Sequence, residues 1–131
     1  MKKLIFMSLA FWLLLGSNAF AACTRADIAG TWNIYFGIGT AVARCTLKAP
    51  NIERGSSCYI PEVGNPVPLT GNLALRRNCN ITGNVFFNGI QLTVDGWISR
   101  DKQNISGMTW FPIVSVNPVS NVGGVFSGVK K

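Results

Sequence analysis

One stretch of the sequence decides the fold: Leu92-Thr93-Val94-Asp95-Gly96-Trp97-Ile98-Ser99, Arg100-Asp101-Lys102-Gln103-Asn104 and Ile105-Ser106-Gly107-Met108-Thr109-Trp110-Phe111. In its two outer segments, apolar or small residues alternate with polar or aromatic ones, whereas the middle segment is polar and typical of a turn. Because successive side chains of a strand point to opposite faces of a sheet, the pattern predicts an antiparallel hairpin with one buried and one partly wet face.

The position of the turn sets the pairing of these two strands. With Lys102 and Gln103 at its centre, Ile98 is expected opposite Gly107. A slip by one residue would exchange the two faces, so the placement of Trp97 on the wet face depends on the register. The predicted buried face carries Leu92, Val94, Gly96, Ile98, Ile105, Gly107, Thr109 and Phe111.

The rest of the chain after residue 23 repeats this pattern without a sustained helical period. Short runs rich in Val, Ile, Thr, Phe and Trp are interrupted roughly every ten residues by Gly, Asn, Pro or Ser, which indicates an all-β sandwich or barrel. Eight strands with short connections favour an eight-stranded antiparallel up-and-down β-barrel, because closure leaves no unpaired edge. A five-stranded Greek-key barrel and an open sandwich are the alternatives. The predicted strands are 30–37, 41–48, 56–60, 68–75, 79–87, 90–99, 104–112 and 122–129.

The first residues are typical of an export signal. Lys2 and Lys3 precede an apolar run over 4–15, and Ala19-Phe20-Ala21 is a small-x-small cleavage site. We therefore predict a cleaved helical signal peptide over residues 1–21 and one domain over 22–131, with no transmembrane span in the mature protein. The expected location is the bacterial periplasm or the medium outside the cell.

Four cysteines lie in the predicted mature chain, and an even number in an exported protein indicates two disulfides with three connectivities open. Cys45 and Cys58 stand at the facing ends of neighbouring predicted strands, so we favour that pair, which leaves Cys23 with Cys79. The alternative is acylation of Cys23, because Phe20-Ala21-Ala22-Cys23 resembles a bacterial lipoprotein box. Acylation would leave three thiols, an odd number.

The sequence offers little for catalysis. It contains no histidine, which excludes a Ser-His triad, histidine acid–base steps and histidine-bound zinc. Cysteines in disulfides supply neither a nucleophile nor a metal ligand. No close pair exists among the five carboxylates, Asp27, Glu53, Glu62, Asp95 and Asp101. We therefore predict a protein that is not an enzyme, with no catalytic residue, metal or cofactor.

The mature chain is basic. Without Lys2 and Lys3 it keeps ten basic side chains against five acidic ones, a net charge of +5, with pairs at 76–77 and 130–131. Such charge could attract an acidic partner, anionic lipid or nucleic acid. Because these residues are dispersed along the sequence and no helix collects them, we interpret them as a solvated surface and expect no nucleic-acid partner.

The segment Ile28-Ala29-Gly30-Thr31-Trp32 resembles the opening motif of the calycins, the lipocalin and avidin group of closed barrels. The resemblance implies a closed barrel in which Trp32 plugs one end and Gly30 lets the chain turn in tightly. It implies a structural role for Trp32 rather than a ligand contact.

A second resemblance covers Ala26 to Trp32, then Cys45-Thr46-Leu47 and Cys58, and is to the bacterial periplasmic metalloprotease inhibitors. Those barrels act through a free N-terminal segment that enters the protease cleft. This chain departs from that pattern, because a bridged Cys23 leaves at most one or two free residues ahead of it.

These observations predict a binding protein. Trp97, Trp110, Tyr35 and Phe87 are the candidate ligand-binding residues of an apolar pocket at the barrel mouth. A packed interior is the alternative, because small barrels fill themselves with side chains. The Pro- and Gly-rich loops 61–68 and 112–124 are the candidate contacts for an exported protein partner. A periplasmic or secreted protease inhibitor and an envelope-associated structural module are the other two functions considered.

Overall fold

A computed structural model describes residues 22–52, 55–113 and 120–131; the predicted signal peptide lies outside the described residues. The described chain forms one helical turn and nine strands. The helix α1 covers Arg25–Ile28, and the strands are β1 Gly30–Ile38, β2 Ala41–Ala49, β3 Asn51–Ile52, β4 Ser57–Tyr59, β5 Pro66–Leu75, β6 Asn80–Phe87, β7 Ile90–Ile98, β8 Asn104–Ile113 and β9 Ser120–Lys130.

Eight of these strands close into a ring. The order β5-β4-β2-β1-β9-β8-β7-β6 is antiparallel throughout, and a pairing of β5 with β6 completes the circle. This confirms the predicted eight-stranded antiparallel barrel. The ninth strand, β3, pairs with β5 at Asn51 and Ile52. Two residues are too few to show an alternating pattern, so β3 was not predicted.

The hairpin of β7 and β8 has its predicted faces but a different register. Ile98 lies opposite Ile105, and Gly96 opposite Gly107, whereas the sequence placed Ile98 opposite Gly107. The predicted pairing was wrong because the turn is centred one residue earlier, with Lys102 in the left-handed region at a φ of 62°. The observed pairing differs from the predicted one by two residues along β8, and because this number is even, every side chain keeps its predicted face.

The predicted loop 61–68 was too long, because Pro66 and Pro68 belong to β5. These prolines pair with β4 on one side, whereas the pairing of β5 with β6 begins at Leu69. The Leu69 N–H donates to the Ser56 carbonyl on the β4 side. Because backbone N–H groups alternate between the two sides of a strand, the nitrogens of Pro66 and Pro68 face the β6 side, where β5 is not yet paired. Their presence therefore costs no ladder hydrogen bond.

The predicted loop 112–124 was also too long. Residues 112–113 belong to β8 and residues 120–124 to β9, where Ile113 pairs with Ser120. Residues 114–119 lie outside the described part of the chain. The described strands therefore extend the barrel wall further than the prolines and glycines of this segment suggested.

The two ends of the barrel differ. One end, called here the closed end, carries α1 and the turns 76–79 and 99–103. The other end, called here the mouth, carries the turns 39–40, 60–65 and 88–89. Between them the inward side chains form one apolar core, which contains Trp32, Ile34, Phe36, Cys45, Leu47, Leu69, Leu73, Ile81, Val85, Leu92, Val94, Ile98, Ile105 and Phe126.

Trp32 fills the closed end. Its side chain is fully buried, and its indole N–H donates to the Ile28 carbonyl at 2.8 Å. The Lys130 ammonium lies 5.4 Å from the centre of the Trp32 ring and donates to the Asp27 carbonyl at 3.0 Å. The tryptophan thus fixes α1 across the end of the barrel through one hydrogen bond and a cation–π contact.

We expect Trp32→Phe to lower the free energy of unfolding by about 1–3 kcal/mol, because the buried Ile28 carbonyl loses its donor. Urea denaturation followed by circular dichroism measures this change. Trp110→Phe on the outer wall is the matched control and is expected to shift stability by no more than about 0.5 kcal/mol. Equal costs for the two substitutions would show that the indole hydrogen bond is not a stabilising contact.

Both favoured disulfides are present. Cys45 and Cys58 are cross-strand partners of β2 and β4, and their bridge lies inside the barrel. Cys23 is bonded to Cys79, which ties the segment before α1 to the turn between β5 and β6. The described residues contain no free cysteine. In this structure the Cys23 sulfur is therefore engaged in a bridge and is not available for acylation.

Candidate functional site: an apolar cavity at the barrel mouth

A cavity of about 230 Å³ lies inside the barrel at the mouth. Its walls come from the mouth-side ends of the strands. Inward side chains there have neighbours toward the closed end but none toward the mouth. The described residues that line it are Phe36, Ile38, Ala41, Val42, Ala43, Cys58, Ile60, Leu69, Val85, Phe87, Ile90, Leu92 and Phe111.

Phe36 lines the cavity, and its ladder partner Phe126 packs beside it over two glycines. The rings of Phe36 and Phe126 pack with their centres 5.8 Å apart. Phe126 fits there because Gly96 and Gly107 are cross-strand partners without side chains; a Cβ on either would lie less than 3 Å from the Phe126 ring. The middle of the barrel is therefore filled, and the open volume is confined to the mouth.

The cavity is apolar and reaches solvent. None of the described lining residues carries a charged or hydrogen-bonding side chain, apart from the bridged sulfur of Cys58. At its rim, Val42 and Ile90 are 54% and 42% exposed. Such a site can hold an apolar group by excluding water from it, but its described lining offers no acid, base or nucleophile.

The four predicted ligand-binding residues are not brought together. Phe87 lines the cavity. Tyr35 and Trp97 point outward and are each 53% exposed, and Trp110 also lies on the outer wall. Their predicted position at the cavity was wrong, because each occupies a strand position of outward parity. Ligand binding by these side chains elsewhere on the surface stays a prediction.

Tyr35 and Trp97 instead flank a shallow groove on the outer wall. The residues between them in the ladder are Ser106 on β8 and Ser127 on β9. The groove has a volume of about 390 Å³ and is also lined by Asn33, so aromatic, hydroxyl and amide groups share it. Two strands of wall, β8 and β9, separate these two aromatic side chains, and their outward orientation accounts for their distance from the interior cavity.

The sequence-based choice missed the aliphatic side chains that form most of the cavity. Leu92 and Phe111 were assigned to the buried face but not to the site, and Ile38, Ala43 and Leu69 were not considered. A usable signal exists: inward parity combined with a position one to three residues from the mouth-side end of a strand. Aromatic character alone does not report on which side of the wall a residue lies.

In the described part of the chain, no group of three or more His, Cys, Asp or Glu side chains is placed to hold a metal ion. Among the same residues, no helix is long and apolar enough to cross a membrane.

Comparisons with known proteins identify the fold and not a family. No protein-family model matches the chain, and no curated protein matches it in sequence. A solved structure described as EF1p2_mFAP2b bound to DFHBI is similar in three dimensions, with a TM-score of 0.65 over 81% of this chain and 95% of that chain. The two sequences are 9% identical, so the likeness is one of fold. The chain is thus a small disulfide-containing β-barrel of the antiparallel, closed class.

Proposed function

We propose that this protein is a non-enzymatic binding protein that holds a small apolar ligand in the cavity at the barrel mouth. The observation that carries the proposal is the lining: the described walls are apolar, enclosed on the barrel side and open at Val42 and Ile90. Water in such a site lacks hydrogen-bond partners, so an apolar ligand displaces it at a gain in free energy.

The volume limits the ligand. A dry cavity of about 150 Å³ accommodates benzene, and typical drug-sized pockets begin near 300 Å³. The 230 Å³ cavity therefore suits one compact ring system or the end of an alkyl chain, with any polar part of the ligand at the rim. Burial of about 200 Å² of ligand surface gives roughly 5 kcal/mol before the cost of association, which corresponds to a Kd of about 0.2 mM, so we expect a Kd of that size or weaker for a ligand held by the cavity alone.

The structural neighbour supports the same function by analogy of fold. EF1p2_mFAP2b is described as bound to DFHBI, so a barrel of this architecture accommodates a ligand. The analogy does not extend to ligand identity. The calycin relationship suggested by residues 28–32 remains a proposal that agrees with the closed barrel and with Trp32 at its closed end.

We propose the bacterial periplasm or the extracellular medium as the location. Two disulfides fit an oxidising compartment, and the predicted signal peptide over residues 1–21 would direct export. The protease-inhibitor alternative has less support, because Cys23 is fixed by its bridge and its N–H donates to the Arg77 carbonyl at 3.1 Å. A segment that enters the cleft of a protease would have to lie before Cys23 in the sequence. The envelope-module alternative also has less support, because it depends on acylation of Cys23, whose sulfur is bonded to Cys79.

The proposal is tested by titrating the purified protein with N-phenyl-1-naphthylamine, a neutral aromatic probe whose fluorescence rises in apolar sites. We expect saturable binding of one probe per chain, displacement by a medium-chain alcohol, and a rise in the melting temperature with ligand concentration. DFHBI is a second probe, chosen from the structural neighbour. If neither N-phenyl-1-naphthylamine fluorescence nor the melting temperature with the medium-chain alcohol changes with concentration up to the solubility limit of each compound, the proposal is refuted.

A further inference from the structure

The basic side chains, dispersed along the sequence, gather at the closed end of the barrel. Of the nine Lys and Arg residues in the described chain, eight lie on α1, on the closed-end turns or on the strand residues beside them. Two acidic residues of the described chain lie on these elements, Asp27 and Asp101, so the described part of this end has a net charge of +6. The eight basic residues, called here the basic end, are Arg25, Lys48, Arg76, Arg77, Arg100, Lys102, Lys130 and Lys131.

Hydrogen bonds and a close ammonium–sulfur contact tie members of the basic end to one another. The Lys102 ammonium lies 2.6 Å from the Cys23 sulfur, and the Cys23 N–H donates to the Arg77 carbonyl. The Lys130 N–H donates to the Gln103 carbonyl at 2.8 Å, next to Lys102. These contacts join the two closed-end turns, the segment before α1 and the last strand into one surface.

The remaining members complete this surface on the other side. The Lys131 N–H donates to the Thr31 carbonyl at 2.9 Å, and Thr31 is the ladder partner of Lys48. Arg25 belongs to α1, which is packed across the same end through Trp32. Six members of the basic end are exposed, whereas Lys102 and Lys130 are half-buried.

The two carboxylates at this end have local roles. Asp27 accepts the Thr24 N–H at 2.7 Å in the first turn of α1. Asp101 accepts hydrogen bonds from the Ser99 hydroxyl and from the Gln103 N–H, which hold the pKa of its carboxyl below the usual value. Neither carboxylate offsets the excess of positive charge. The other described carboxylates are Glu62 at the mouth and Asp95 on β7, which accepts the Asn80 side-chain N–H at 2.7 Å beside the turn 76–79; Arg44 is the remaining described basic residue.

We propose that the closed end docks on the surface of an anionic lipid bilayer. The complementarity is one of charge: each Lys or Arg near an anionic membrane contributes roughly 1 kcal/mol, and clusters of about four to eight such residues bind these surfaces. The end is built from turns and one helical turn around the plug of Trp32, and six of its eight basic side chains are exposed there.

A nucleic acid is the disfavoured occupant of the same surface. Nucleic-acid sites combine basic residues with a groove that follows the backbone or with exposed aromatic rings that stack on bases. In the described residues of α1 and the closed-end turns, no aromatic side chain is exposed. The exposed ring of Trp97 lies on the outer wall, two residues before the turn 99–103, in the groove that it shares with Tyr35.

Docking through the closed end has a structural consequence. The mouth is at the opposite end, so the apolar cavity faces away from the bilayer and stays open to solvent. The docking proposal is independent of the ligand proposal, because none of the cavity-lining residues belongs to the basic end.

The test is co-sedimentation of the barrel of residues 22–131 with sucrose-loaded vesicles. We expect binding to vesicles of phosphatidylcholine with 30% phosphatidylglycerol at low salt, none to pure phosphatidylcholine, and a loss of binding of at least about tenfold at 0.5 M NaCl. Arg76→Gln with Arg77→Gln is expected to weaken the partition constant roughly 10- to 30-fold.

Single substitutions give the matched control. Arg76→Gln is expected to weaken binding about fivefold and Arg44→Gln on the wall by less than about twofold, although each removes one charge. Unchanged melting temperatures show that the variants are folded. Equal losses for Arg76→Gln and Arg44→Gln, no preference for anionic vesicles, or tighter binding to a 20-base-pair DNA duplex at the same salt would overturn the proposal. Probe binding at the mouth is measured separately, so failure of one proposal is distinguishable from failure of the other.

Discussion

Ala43→Phe is expected to abolish binding of apolar probes at the barrel mouth. Ala43 lies opposite Phe36 on the inner side of β2 and lines the cavity. A phenyl ring needs most of the 230 Å³ available, since a site of about 150 Å³ is sufficient for benzene. We therefore expect the Kd for N-phenyl-1-naphthylamine to rise by more than about tenfold, which is 1.4 kcal/mol or more.

The control for this substitution is Ala74→Phe, the same chemical change on the outer face of β5, where Ala74 is exposed. It is expected to leave probe binding unchanged. Ala43→Phe should cost no more than about 1–3 kcal/mol of stability, because the new ring enters existing space rather than a packed core. Retained probe binding in folded Ala43→Phe would place the ligand elsewhere and refute the site.

Removing the Cys23–Cys79 bridge with the pair Cys23→Ser and Cys79→Ser is expected to lower the free energy of unfolding by about 4 kcal/mol. The bridge spans 56 residues, and closure of so long a loop restricts the unfolded chain strongly in the chain-entropy description. In a domain whose total stability is about 5–15 kcal/mol, this is a large fraction. Urea denaturation of the variant and of the parent protein measures the difference.

The pair Cys45→Ser and Cys58→Ser provides the comparison, because that bridge spans 13 residues and its removal is expected to cost about 3 kcal/mol from loop closure. Its sulfurs are also buried, so two inward hydroxyls add a desolvation cost. A variant lacking the Cys23–Cys79 bridge that unfolds at the same urea concentration as the parent would show that the bridge does not constrain the unfolded chain.

The elements of this fold were predictable because they depend on local alternation. The eight long strands were placed to within a few residues from the period-two pattern, and the buried face of the hairpin 92–111 was assigned residue by residue. α1 and β3 escaped prediction, since four and two residues are shorter than any period that can be recognised. Strand adjacency favoured the Cys45–Cys58 bridge, which is again a local argument, and Cys23–Cys79 was the pair that remained; the structure contains both.

The site was less predictable. Trp97, Trp110 and Tyr35 were chosen for their aromatic character, yet their parity places them on the outer wall, where the cavity is out of reach. The cavity depends on which inward positions lie at the mouth and on how far Phe126 fills the space below. Closure of the barrel decides which inward positions lie at the mouth, and the glycine pair Gly96–Gly107 leaves the space that Phe126 occupies.

By itself, the sequence determined the class of fold, the strands and their buried faces, and it favoured the Cys45–Cys58 bridge, because each follows from residues that are neighbours in the chain or on adjacent strands. Tertiary structure decided the register of the β7–β8 hairpin, the location of the cavity and the gathering of dispersed charges at one end. The physical reason is that a closed barrel brings alternate connections to the same end. Side chains far apart in the sequence, such as Arg25, Arg77 and Lys131, then become parts of one surface.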